Sequence, residues 1–109
     1  MSKPTLPSSV HVGPVTYDVR QVRKLDVLGE TVCDNSEITI LRVGQSRASK
    51  RVTILHEILH AIIGESALKP DGRHKMVRDH EEAVVSTLAP WLLQVLRDNP
   101  KLIDYLLDG

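Results

Sequence analysis

Thr53-Ile54-Leu55-His56-Glu57-Ile58-Leu59-His60-Ala61-Ile62-Ile63-Gly64 is the stretch whose reading decides the fold of this chain. Val52, Leu55, Leu59, Ile62 and Ile63 form one apolar stripe at helical spacing, and Ile54, Ile58 and Ala61 make a second face apolar. A helix that is apolar nearly all round is expected in the middle of a domain. Three ionisable side chains, His56, Glu57 and His60, interrupt it. Groups of that kind need partners when buried, because an unpaired polar group away from water is costly.

Outward from this helix the punctuation is clear. Gly44 to Ala48 breaks a preceding strand and offers Ser46 as N-cap, while Gly64 stands where a left-handed residue would close the helix. Upstream, Val10-His11-Val12 and Val15-Thr16-Tyr17-Asp18-Val19 read as strands rich in β-branched residues. Residues 25–30 read as a further strand or a turn, and Cys33-Asp34-Asn35-Ser36 as a turn. Ile38 and Ile40, alternating with Thr39 and Leu41, read as a strand covered on both faces. Downstream, Pro70, Asp71 and Gly72 mark a loop. A second long helix is expected over residues 79–98, with Val85, Leu88, Leu92, Val95 and Leu96 on one stripe and Pro90 as a kink. Asn99-Pro100 ends it, and residues 101–107 form a last short helix.

The fold class that follows is α+β: a small antiparallel sheet of two or three strands packed on the buried helix and a second long helix. Residues 1–9 read as a flexible tail and residues 10–109 as a single domain. A length of 109 residues suits one core, and with 3% aromatics and no Phe that core must be aliphatic. Fourteen basic residues balance fourteen acidic ones, so the charge footprint of direct nucleic-acid binding is missing. Arg47, Lys50 and Arg51 read as the polar start of a helix. The lone Cys33 excludes an intramolecular disulfide and reads as a small buried hydrophobe. With no signal pattern and no apolar run of membrane length, a cytoplasmic protein without a membrane partner is expected. Oligomeric state is left open.

The spacing of the three ionisable residues carries a specific chemistry. Four residues exceed one helical turn slightly, so His56 and His60 project from one face and can share a zinc ion at about 2.0–2.1 Å each. Glu57, at the edge of that face, can take a proton from water that zinc has acidified and pass it to a leaving amine. A catalytic zinc has three protein ligands and an open position. Ser66 stands six residues after His60, which excludes a third histidine there. His74, Asp79, His80, Glu81 and Glu82 remain as candidates. Glu82 is preferred because it shares a face with Val85 and Ala89, with Glu81 and His80 as alternatives. Asp79 and Glu82 also fit a capping box. His74, His80 and Tyr105 are candidate donors to a developing oxyanion.

The stretch Thr53 to Ile62 resembles the zinc-binding helix of the ImmA/IrrE-like metallopeptidases of phages and mobile elements. Glu82, the pair Val85-Ser86, the pair Leu88-Ala89 and the pair Leu92-Leu93 fall into the spacing of that family's second helix, where Val85-Ser86 replaces a small-Asn pair. Gly29 and Ile38-Thr39-Ile40 are similar to the strand region before the helix in small phage members. The resemblance covers about residues 25–96 and implies a site of two histidines and a glutamate, His56, His60 and Glu82, on zinc, with Glu57 as base. It implies hydrolysis of peptide bonds in a protein or peptide substrate. The alternative is a catalytically inactive zinc-binding regulatory or structural protein that acts through a protein partner.

Overall fold

The computed structural model describes residues 3–66 and 81–108. Four strands, β1 (Ser9–Val12), β2 (Val15–Val22), β3 (Gly29–Val32) and β4 (Glu37–Leu41), form one sheet in the order β1-β2-β4-β3. Gly13 at φ 61° opens the two-residue connection between β1 and β2. A left-handed first position matches the twist of a tight hairpin and suits glycine. The Trp91 ring lies over this glycine, so a Cβ there would meet its Cζ3 at 2.7 Å.

The sheet is mixed. β1 and β2 pair antiparallel, as do β3 and β4, but β2 and β4 run parallel with Val19 opposite Ile38. The expected antiparallel sheet of two or three strands is thus corrected to four strands with a parallel centre, within the expected α+β class. β3 takes the outer edge, and a single 3₁₀ turn over Cys33–Asn35, with Ser36 left-handed, returns the chain between β3 and β2.

Pairing register sets which side chains share a face. Val10, Val12, Tyr17, Val19, Ile38 and Ile40 all point to one side and are buried. The other side carries Thr16, Asp18, Arg20 and Glu37, including an Arg20–Glu37 ion pair at 2.6 Å. Ile38 and Ile40 are fully buried while Glu37, Thr39 and Leu41 are only half-buried. β4 is therefore covered on one face and not on both.

Helix α1 (Arg47–Glu65) lays Ile54, Ile58, Ala61 and Ile62 on the inner face of the sheet. Ser46 caps it by accepting from the Ser49 N–H at 3.0 Å, as the sequence suggests. Its outer faces are open: Val52 is 70% exposed and both His56 and His60 are exposed. The expectation of a helix buried all round is corrected, because only one face meets the sheet and the described helices cover the rest incompletely. Gly64 does not end the helix, which runs on through Glu65 without a left-handed residue. Its missing side chain makes room for Cys33, whose Sγ takes up the space where a Cβ would stand.

Helix α2 (Glu81–Asp98) continues through Pro90 and packs Leu88, Trp91, Leu92 and Val95 on the core. α3 (Pro100–Leu107) follows at once, with proline in the first turn, where its missing N–H costs nothing. Buried Asn99 at this corner accepts from the His11 N–H at 3.0 Å and donates to the His11 and Val95 carbonyls at 3.0 and 2.6 Å. It thereby occupies the free edge of β1. Arg47 donates to the Pro4 carbonyl and to Asp108, and Arg51 to the Tyr105 and Asp108 carbonyls. The polar start of α1 thus ties down the C-terminal turn. Residues 4–8, expected as a tail, carry these contacts too: Leu6 packs on the core and the Ser8 carbonyl accepts from Val19.

Two substitutions test this packing. Asn99→Ala leaves the His11 peptide groups unpaired at the β1 edge and is expected to cost about 2–3 kcal/mol in a urea titration. Gly64→Ala gains helix propensity of about 1 kcal/mol but overpacks Cys33 by more. The net effect expected is a lowered unfolding midpoint, and Cys33→Ala in the same chain restores it.

Candidate functional site

Rolling α1 so that its isoleucines meet the sheet turns the next faces of the helix toward the edge strand and toward solvent. His56 and His60 fall on the solvent side. Their Nε2 atoms lie 3.1 Å apart, and the rings meet edge to face with centroids separated by 4.8 Å. Glu57 follows His56 by about 100° of helix rotation, which carries it beneath β3. It is 5% exposed. The expected burial of all three ionisable residues together is corrected: the base candidate is buried and the two histidines are open.

Thr31 Oγ1 donates to Glu57 Oε1 at 2.7 Å and lies 3.1 Å from the Glu57 carbonyl oxygen. The buried carboxylate thus has a partner. The histidine pair can share one proton between its Nε2 atoms, or direct both lone pairs at one cation with the ring protons on Nδ1. Two nitrogens at zinc distances on a tetrahedral ion stand about 3.3–3.4 Å apart, close to the separation found here. The donor set and its spacing fit a zinc ion. An open pocket of about 460 Å³ lies over the pair, lined by Gly29, Thr31, Cys33, His56, Glu57, His60, Ile63 and Gly64.

The third-ligand candidates are His74, Asp79, His80, Glu81 and Glu82. His74, Asp79 and His80 lie outside the described residues. Glu81 and Glu82 open α2, which packs against α1, and their side chains lie outside the described part. Among the described residues no three His, Cys, Asp or Glu side chains form a metal-holding group. Tyr105, a candidate oxyanion donor, is corrected. It is buried on α3 beneath Arg47, whose Cζ stands 5.3 Å from the ring centroid, and it does not line the histidine pocket.

Thr31 lines the pocket without having been singled out in the sequence, and Gly29 and Cys33, which were read there as a strand residue and a buried hydrophobe, line it too. Gly29-Glu30-Thr31 has a period of two, so the glycine and the threonine share a face, but only pairing with β4 shows that this face looks at α1. Behind the pocket, Tyr17 Oη donates to Glu65 Oε2 at 2.5 Å. Burial, then hydrogen bonding with Glu65 and Cys33, raises the Tyr17 pKa far above the ordinary phenol value of 10.0. Cys33 is half-buried rather than fully buried.

The chain matches no protein-family model, no curated protein and no solved structure. Among the described residues no helix is long and apolar enough to cross a membrane.

Tyr17 yields a pH test. Its folded pKa is raised, so its contribution is complete below pH 10 and is lost as pH rises through the folded value. Above pH 10 the unfolded chain ionises this phenol and the folded chain does not, which costs up to about 1.4 kcal/mol per pH unit. Urea midpoints at several alkaline pH values should fall more steeply for the parent than for Tyr17→Phe.

Proposed function

We propose that this chain is a zinc-dependent peptidase of the ImmA/IrrE-like kind, with His56 and His60 as metal ligands, Glu82 as the third ligand and Glu57 as general base. The observation that carries this reading is the convergence of the two Nε2 atoms, 3.1 Å apart, beside a buried and hydrogen-bonded glutamate. A structural zinc site needs no such base. His56, His60 and Glu82 would hold the zinc ion, which would supply a Lewis acid for a water and for the substrate carbonyl. Glu57 takes the proton of the attacking water and delivers it to the nitrogen of the leaving amine as the peptide bond breaks.

The surroundings of the pocket favour an extended peptide as substrate. A sheet of four strands has two edges, and Asn99 occupies that of β1. Among the described residues no strand pairs with the outer edge of β3, which borders the pocket. The Leu41 N–H donates to the Leu28 carbonyl, so by antiparallel alternation Gly29 and Thr31 turn their own peptide groups away from β4. An extended chain can pair with such an edge and lie along the histidines.

Metal analysis of the full chain after zinc-replete expression is expected to find one zinc per chain, lost in His56→Ala and His60→Ala and weakened in Glu82→Ala. Glu57→Gln should keep its zinc and lose casein cleavage by about 10²–10⁴-fold. A metal-free parent overturns the reading. Zinc retained with equal cleavage in parent and Glu57→Gln overturns the assignment of the base. Zinc retained with no cleavage in the parent favours the regulatory zinc-binding alternative.

A further inference from the structure

Of His56, Glu57 and His60, only Glu57 is withdrawn from solvent, and two residues that meet its side chain, Gly29 and Thr31, belong to the edge strand. Thr31 supplies a donor to Oε1 at 2.7 Å. Gly29 supplies space: a Cβ there would stand 3.0 Å from Glu57 Cγ, 3.1 Å from Oε2 and 2.7 Å from Thr53 Cγ2. Gly29 lies within the strand and has no positive φ, so close approach and not backbone conformation is its reason. A Cβ at position 29 would clash with the Thr53 methyl and press the Glu57 side chain aside by a few tenths of an ångström.

We propose that Gly29 and Thr31 position Glu57 for its work as base, the glycine by making room for the carboxylate and the threonine by fixing one of its oxygens. This rests on the reading of Glu57 as general base. A carboxylate on two methylenes has several rotamers, and proton transfer needs one of them held within a fraction of an ångström. The Thr31 hydroxyl holds Oε1. Oε2 has no hydrogen bond among the described residues and is left to accept a proton.

The arrangement also joins the base to the place where substrate would lie. The peptide groups of Gly29 and Thr31 face the free edge, while Thr31 and the space at Gly29 face Glu57. A chain paired along β3 therefore contacts the two residues that set the carboxylate's position. Thr31 acts through Glu57, so it is a positioning residue, and its loss should appear in kcat and not in KM.

The test compares the full-length parent with Thr31→Val and Thr31→Ser, each checked for zinc content and thermal midpoint, on fluorescently labelled casein. Thr31→Val is expected to lower kcat by about 10–100-fold with KM and zinc content unchanged, and Thr31→Ser to restore it. A second measurement needs neither metal nor activity: urea midpoints of the metal-free parent, Thr31→Val, Glu57→Ala and the double variant. The expected result is a double variant less destabilised than the sum of the two single ones. A kcat for Thr31→Val equal to the parent's overturns the inference, as do additive midpoints. If the zinc-loaded parent leaves casein intact, the peptidase reading fails. The midpoint cycle then decides by itself whether Thr31 holds the carboxylate.

Discussion

The roll of α1 about its own axis is the constraint on which the rest of this structure depends. Ile54, Ile58, Ala61 and Ile62 are driven onto an aliphatic sheet by the hydrophobic effect, at about 25 cal/mol per Å² of apolar surface removed from water. No aromatic residue except Tyr17 shares the sheet's inner face, so the fit relies on branched aliphatic side chains in contact. Once those four residues face inward, helix geometry leaves no choice for the others. His56 and His60 must face out, and Glu57 must pass beneath the neighbouring strand. The chemistry of the site is thus oriented by a packing preference that involves none of its residues.

The edges of the sheet are treated differently, and the difference bears on function. An unpaired edge invites association with another chain. At β1 the Asn99 side chain imitates a neighbouring strand and satisfies both peptide groups of His11. At β3 the described structure offers no such cover, and the strand is short and lies beside the histidine pocket. The open edge thus stands next to the candidate base, and one strand both walls the pocket and carries peptide groups that no strand pairs with among the described residues. Cys33, directly after β3, packs into the space at Gly64 and anchors the strand's far end to the last turn of α1.

Much of this was legible in local sequence. Ser46 caps α1 as read, the turn after β3 falls at Cys33–Asn35, and Asn99-Pro100 divides the last two helices. Gly64 misled because a glycine near a helix end suits a left-handed cap, whereas here a sulfur atom needed the room. The reading of α1 as wholly buried failed for a related reason. Apolar residues on two faces show what a helix could bury, but the sheet covers only one of them, and Val52 stays in solvent.

By itself the sequence determined the class of the fold, the presence of its helices and the spacing that brings two imidazoles onto one face, because each depends on residues close together in the chain. Tertiary structure alone decided that β2 and β4 run parallel, that β3 holds an edge, and that Glu57 is buried while its histidine neighbours are not. Those outcomes depend on which segments lie side by side, and a period of two or of 3.6 reports the face a residue occupies without naming what will cover it. Thr31 and Glu57 stand 26 residues apart. Nothing local to either predicts their contact, yet the hydrogen bond between them ties the edge strand to the helix that carries the site.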